Sequence, residues 1–136
     1  MKHPGSCSEF SAQRNAELLR AYRNVLSKKS YFNVNSDFNM VVNEPCSRFW
    51  ISEERAMIVV SAMLRGQPIL FSMRPTKRDM FIEIHYRVSM LRKENPGMSL
   101  FDAVFDVVNS PAPKFYMEPL YARNIICNIK KARNTK

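Results

Sequence analysis

Residues 56–64 form an apolar run in which only Ser61 is polar, so that no face of the segment is left for water. The run has helix signals at both ends, with Ser52 as an N-cap before it and Gly66 after it, where a left-handed residue closes helices. A strand is the alternative, because β-branched residues fill its middle, but the caps and the length favour a helix. A helix that is apolar all round is buried all round, and we therefore predict that the other segments pack around residues 53–65.

Helical periodicity continues on both sides of this central segment. Apolar residues three and four positions apart predict further helices over about 11–29, from 36 or 37 up to Pro45, over about 75–93, over 99–108 and from about 119 onward. Ser36 and Asp37 are the predicted cap of the second of these helices. In the first, the basic residues fall on the polar arc, where we expect solvated side chains: Arg14, Arg20, Arg23 and Lys28.

Two segments between the helices lack this periodicity. Residues 67–73 are apolar and led by a proline, which predicts an extended connector or one strand of a small hairpin. Residues 109–117 contain two prolines and are predicted to cross the molecule in an extended form. The fold class is thus all-α, a compact bundle of five or six helices around the central one. We expect one helical domain over 11–129, between a flexible lead-in at 1–10 and a basic tail at 130–136.

The helix predicted over 75–93 has two apolar stripes. Helical spacing relates the members of the first, which are Phe81, Ile84, Val88 and Leu91. The second lies on the opposite side and consists of Ile82, Tyr86 and Met90. One stripe should meet the central helix, whereas the other needs the C-terminal segment, a partner subunit or a ligand to cover it. The second stripe is therefore the predicted partner interface.

Composition adds a strong positive charge to this picture. The 136 residues carry 21 Lys and Arg against 12 Asp and Glu, for a net charge of +9 that is spread evenly along the chain. A globular protein this basic often binds a polyanion, most commonly nucleic acid, although the charge can also serve solubility alone. No apolar run is long enough to span a membrane and no signal-peptide core precedes the first helix, so we expect a cytoplasmic protein without a membrane partner.

The cysteines indicate free thiols. Cys7, Cys46 and Cys127 are odd in number, lie far apart and form no C-x-x-C pair. We expect Cys127 to be buried in its helix.

Residues suited to catalysis are few. His3 and His85 are the only histidines, no Cys/His group has zinc spacing, and three glycines cannot form a Gly-rich phosphate loop. The paired carboxylates have capping or helix-surface explanations. The sequence therefore predicts a protein that is not an enzyme and needs no metal or cofactor.

The strongest functional constellation is a basic helix entrance at Arg74, Lys77 and Arg78. Amide donors, the helix dipole and three cations together suit a phosphate group. The connector before this helix is longer than the turn of a helix-turn-helix motif, so we predict phosphate-backbone contact rather than sequence readout, with DNA favoured over RNA. A basic arm would assist, formed by Lys130, Lys131, Arg133 and Lys136.

Two features of the sequence each have a second interpretation. Phe49 and Trp50 precede an N-cap and are interpreted as core residues that fix the helix entry, with stacking on exposed bases as the alternative. The competing function is a non-enzymatic assembly or adaptor protein, such as a phage structural component that forms a homo-oligomer. Nine methionines and the second stripe of the 75–93 helix favour it.

Three stretches resemble small, uncharacterised basic proteins of gut Bacteroidetes and their phages or mobile elements: Ser-Arg-Phe-Trp-Ile-Ser-Glu-Glu-Arg-Ala at 47–56, Met-Arg-Pro-Thr-Lys-Arg at 73–78 and Asn-Ser-Pro-Ala-Pro-Lys-Phe-Tyr at 109–116. The resemblance covers most of the chain after Arg14 and implies no role for any single residue. It implies a mobile-element setting, which raises the expectation of DNA handling or phage assembly.

Overall fold

Six α-helices make up most of the computed structural model, which describes residues 10–28 and 33–134. The helices are α1 (Ser11–Ser27), α2 (Val34–Val42), α3 (Glu53–Leu64), α4 (Pro75–Glu94), α5 (Leu100–Val108) and α6 (Pro119–Asn134). No strand occurs within the described ranges, where the only β-type pairing is an isolated bridge between Cys46 and Ala112. The all-α prediction is confirmed. The predicted lead-in lies outside the described residues except for Phe10.

The helices form two groups of three. In the first group α1, α2 and α6 pack against one another, and in the second group α3, α4 and α5 do so. One continuous core of buried side chains runs through both groups. Because α3 has only two helices and a short turn as main neighbours, Ile58 and Leu64 on its outer side stay half-exposed. The helix is therefore enclosed on fewer sides than its apolar composition predicts.

Two extended segments connect the groups: residues 43–52 between α2 and α3, and residues 109–118 between α5 and α6. The backbones of Cys46 and Ala112 exchange two hydrogen bonds of 3.0 Å, and Phe115 N–H donates to Val42 O at 2.9 Å. Phe49 is fully buried, its N–H donates to Val108 O of α5 at 3.1 Å, and its ring stacks on Tyr116 in the second segment. This confirms that the aromatic residues before α3 belong to the core, and it confirms the extended crossing predicted around residues 109–117.

Local capping explains where several helices begin. Ser52 Oγ accepts a hydrogen bond from Arg55 N–H at 3.0 Å, and Ser99 Oγ accepts one from Asp102 N–H at 3.1 Å, as expected for N-caps. At the other end of α3, Gly66 adopts a φ of 75°, the left-handed conformation predicted for it.

The predicted start of α2 was wrong. The helix begins at Val34, so that Ser36 and Asp37 lie in its first turn. Asn33 is the residue that caps it, because its side-chain oxygen accepts from Ser36 N–H while its own N–H donates to the Asp37 carboxylate. The acidic side chain thus acts on the helix start from inside the helix.

The connector predicted as extended is also different in the structure. Residues Ile69–Ser72 form a single 3₁₀ turn, closed by hydrogen bonds from Phe71 N–H to Pro68 O and from Met73 N–H to Leu70 O. A strand here would have no neighbouring strand to pair with, and a short tight helix satisfies the backbone groups locally.

The prediction for the cysteines is confirmed in one respect and wrong in another. Cys46 and Cys127 are free thiols. However, Cys46 is the buried one, with its thiol donating to the carbonyl oxygens of Arg48 and Lys114, and burial raises its pKa to about 11. Cys127 is exposed, because Ile125 and Ile126 occupy the buried face of α6 and the next residue turns outward.

Candidate functional site

Helix α6 presents a basic outer face. It carries four exposed cations and no carboxylate along its length: Arg123, Lys130, Lys131 and Arg133. The helix continues to Asn134, so the last three cations lie on its final turns and not on a separate tail, while Lys136 is outside the described residues. Half-buried Ile129, at the end of the predicted domain, packs against the core.

A contact to α1 fixes the position of Lys130. Its Nζ donates to the Tyr22 hydroxyl at 2.6 Å and lies 4.7 Å from the centre of that ring. The predicted basic arm is thus a helical surface, anchored to the first helix group.

The basic entrance of α4 has the form expected of it. Arg74 is the exposed N-cap residue and Pro75 opens the helix. The first-turn N–H groups of Thr76 and Lys77 have no partner inside the helix, whereas Arg78 N–H already donates to Arg74 O at 2.9 Å. Lys77 and Arg78 are half-exposed, so all three predicted cations are open to solvent to some extent.

A cavity of about 420 Å³ lies beside this entrance, between the N-terminal ends of α4 and α6. Arg74 and Lys77 line it, whereas Arg78 does not. The wall is mostly apolar and is made by Trp50, Met80, Phe115, Met117, Leu120 and Tyr121. Since these residues come from both helix groups, the cavity is a product of the tertiary fold.

The residue that sequence analysis missed in this cavity is Arg14. The prediction that it is solvated was wrong, since it is only 7% exposed. Its Nε and Nη2 donate to Asn15 Oδ1 at 3.2 and 3.1 Å, and its guanidinium lies 5.6 Å from the centre of the Tyr121 ring. The spacing contained the signal, because Arg14 stands one turn before Leu18 on the stripe that α1 buries.

Tyr116 forms part of the cavity wall in an unusual conformation. Its φ of 56° lies in the left-handed region, which residues other than glycine rarely adopt. The ring stacks on Phe49 at a centroid distance of 5.9 Å, and Lys114 Nζ lies 5.3 Å from the centre of the Tyr116 ring. Burial, followed by the negative charge of Glu83, raises the pKa of the Tyr116 hydroxyl to about 12. These contacts keep the wall in place although its backbone is strained.

The second apolar stripe of α4 is exposed to solvent. Phe81, Ile84 and Val88 of the first stripe are buried, as predicted. Ile82, Tyr86 and Met90 are 49%, 60% and 40% exposed, so the C-terminal segment does not cover them. A groove between α4 and α5 runs past two of these residues, Tyr86 and Met90.

Two other kinds of feature are absent from the part of the chain that the structure describes. Within the described ranges, no group of three or more His, Cys, Asp or Glu side chains is placed to hold a metal ion. None of the helices described is both long and apolar enough to cross a bilayer. No family model, no curated protein and no solved structure matches this chain.

Proposed function

We propose that this protein binds nucleic acid through phosphate groups and performs no catalysis, with DNA as the expected polyanion in a phage or mobile-element context in the cytoplasm. The observation that supports the proposal is the segregation of charge between the helix groups. The exposed face of α6 carries four cations and no carboxylate, whereas α5 in the other group carries Asp102 and Asp106 and no cation. Segregated positive charge on one face is the electrostatic footprint of polyanion binding.

The spacing of the cations suits a nucleic-acid backbone. Arg123, Lys130 and Lys131 are seven and eight residues apart, which places them on one side of α6. The helix covers about 15 Å between Arg123 and Arg133 at 1.5 Å per residue, a length over which one strand of B-DNA presents about four phosphates. Arg74 and Lys77 extend this basic face at the N-terminal end of the helix, beside the cavity.

Backbone contact fits this surface better than sequence readout does. The face of α4 that stays exposed over several turns is apolar and consists of Ile82, Tyr86 and Met90, so the basic N-terminal turn is the part that suits a polyanion. A recognition helix needs a free face of several turns in the major groove. The proposed binding therefore depends on charge and has little preference for sequence.

The test is fluorescence anisotropy with labelled random duplexes, single strands and RNA at about 50 and about 200 mM salt. With one phosphate contact for each of the six cations named above, we expect micromolar binding at the lower salt and an affinity about 2,000-fold lower at the higher salt. Binding that is absent at the lower salt, or that does not change with salt, would contradict the proposal.

A second candidate function is self-association through α4. Ile82, Tyr86 and Met90 form an apolar partner surface that nothing in the described chain covers, and exposed apolar patches of this kind commonly mark protein interfaces. The groove beside Tyr86 and Met90 has a volume of about 400 Å³, which gives an incoming side chain a place to insert.

Sedimentation velocity over a range of concentrations tests this candidate. We expect a mass above the 15.9 kDa of one chain, and we expect Ile82→Glu to restore that value by placing a charge in the interface. Leu64→Glu is the matched control, because Leu64 is also 49% exposed but lies on α3. A wild-type mass of one chain at every concentration would refute self-association.

A further inference from the structure

We propose that the cavity between α4 and α6 binds a single nucleotide, with its phosphate near Arg14, Arg74 and Lys77 and its base against the aromatic wall. The inference rests on the proposed function for the class of ligand, since both surfaces would receive a phosphate-bearing molecule. It adds a defined pocket to a surface that otherwise acts by charge alone.

The first argument is the buried charge of Arg14. The side chain is 93% buried and its guanidinium donates to one acceptor, Asn15 Oδ1. Among residues 10–28 and 33–134, no carboxylate lies within ion-pair distance of it. A buried cation is ordinarily paired with an anion, because removal from water is costly unless a partner compensates for it. Since Arg14 lines the cavity, an anion in the cavity would be that partner.

The second argument is the positive potential around the opening. Arg74 and Lys77 line the same cavity, and the unpaired first-turn N–H groups of α4 are at this end of the helix. Glu118 is the one carboxylate among the described lining residues, and it is exposed. Three cations against one carboxylate suit a doubly charged phosphate better than a single carboxylate.

The third argument is the apolar wall, which a lone phosphate would leave uncovered. The rings of Trp50 and Phe115 are stacked with centroids 6.5 Å apart and are 8% and 2% exposed, so they form the buried part of this wall. Leu120 and Tyr121 line the cavity and are 64% and 47% exposed, so a ligand in the cavity would cover them. A cavity of about 420 Å³ falls within the size range of small-molecule sites. A planar base over this wall would cover the exposed Leu120 and Tyr121 side chains.

An intrinsic fluorophore reports on ligand binding in the cavity. Trp50 is the only tryptophan and lines the cavity, so its fluorescence should change when a ligand enters. We would titrate the full chain with adenosine and thymidine monophosphates, and separately with adenosine and with inorganic phosphate. The expected result is saturable binding of the monophosphates. Adenosine alone and inorganic phosphate alone should each bind with an affinity lower by about tenfold or more. No fluorescence change with any monophosphate would overturn the inference. Benzoate, an aromatic carboxylate without a phosphate, serves as a control ligand, and its binding as tightly as the monophosphates would also overturn the inference.

Variants test the assigned residues. Arg14→Met should lower the affinity for the monophosphates by about tenfold or more, because a charge-assisted contact is lost. Arg20→Met removes an exposed cation from the same helix and is the matched control, with no expected change. Arg74→Gln alters an exposed N-cap residue without touching the core, and it keeps the test informative should Arg14→Met not fold. Unchanged affinity in both Arg14→Met and Arg74→Gln would overturn the assignment.

The source of the nucleotide is tested by competition. A single strand with a 5′-phosphate that displaces the monophosphate, and fails to do so without that phosphate, would identify the end of a strand as the ligand. Displacement by free monophosphates alone would identify a free nucleotide. Either result supports the pocket.

The pocket and the proposed function can fail separately. Replacing Lys130, Lys131 and Arg133 by Gln should weaken duplex binding and leave the monophosphate response of Trp50 unchanged, which would support the pocket. A Trp50 response without any duplex binding would also support the pocket while it refutes the proposed function. Duplex binding with no Trp50 response to monophosphates would overturn the pocket and leave the proposed function standing.

Discussion

Phe49→Ala is expected to lower the free energy of unfolding by about 3–5 kcal/mol, the usual cost of truncating a buried Phe. Phe49 is 0% exposed, and its N–H donates to Val108 O of α5. Its ring stacks on Tyr116 and has the guanidinium of Arg87 at 5.2 Å from its centre. The truncation would therefore leave a cavity in the core beside α4, α5 and the segment that contains Tyr116. Urea denaturation followed by circular dichroism measures the effect.

The matched control is Phe71→Ala, the same chemical change at a side chain that is 84% exposed. We expect it to change the free energy of unfolding by less than about 0.5 kcal/mol. Because a domain of this kind is stable by only about 5–15 kcal/mol, the first variant should be visibly compromised and the second should not. Similar values for the two variants would contradict the placement of Phe49 in the shared core.

Replacement of Lys130, Lys131 and Arg133 by Gln is expected to weaken DNA binding and to reduce its salt dependence. Each lost phosphate contact lowers the slope of log affinity against log salt by about 0.9, so three lost contacts lower it by about 2.7. Anisotropy titrations at several salt concentrations give the slope directly. A melting curve checks that the loss of the Lys130 contact to Tyr22 has not unfolded α6.

A variant of equal net charge provides the control for this experiment. Arg55, Arg65 and Arg92 are exposed and belong to α3, its C-cap and α4 in the second helix group. Their replacement by Gln removes the same net charge from the second helix group and leaves α6 intact. We therefore expect the slope of log affinity against log salt to remain that of the wild type. An equal loss in both variants would show that net charge alone governs binding, and it would remove α6 from the proposal.

Helix ends were predictable from the sequence where the capping contacts are local. The Ser52 cap and the left-handed Gly66 depend on residues three or fewer positions away, so a single sequence contains the required information. The start of α2 shows the limit of such reasoning. Asp37 looked like a cap because of its residue type, yet its carboxylate reaches back to Asn33 from inside the helix.

The cavity was not predictable because its lining comes from distant parts of the chain. Arg14, Trp50, Lys77 and Tyr121 become neighbours only when the extended segments bring the helix groups together. The burial of Cys46 depends on Ala112 and Lys114 in the same way. Sequence periodicity shows which face of a helix is apolar, but it does not show which part of the chain will cover that face.

The unequal distribution of charge between the helix groups has a consequence for how the protein meets its partners. With cations along α6 and carboxylates on α5, the molecule has a permanent electric dipole as well as a net charge of +9. The field of a polyanion exerts a torque on such a dipole at distances up to about one Debye length, roughly 8–10 Å at about 0.1–0.15 M salt. The protein would thus be oriented before it contacts the polyanion, and most encounters would bring α6 to the phosphates first. Added salt should accordingly slow association more than it speeds dissociation.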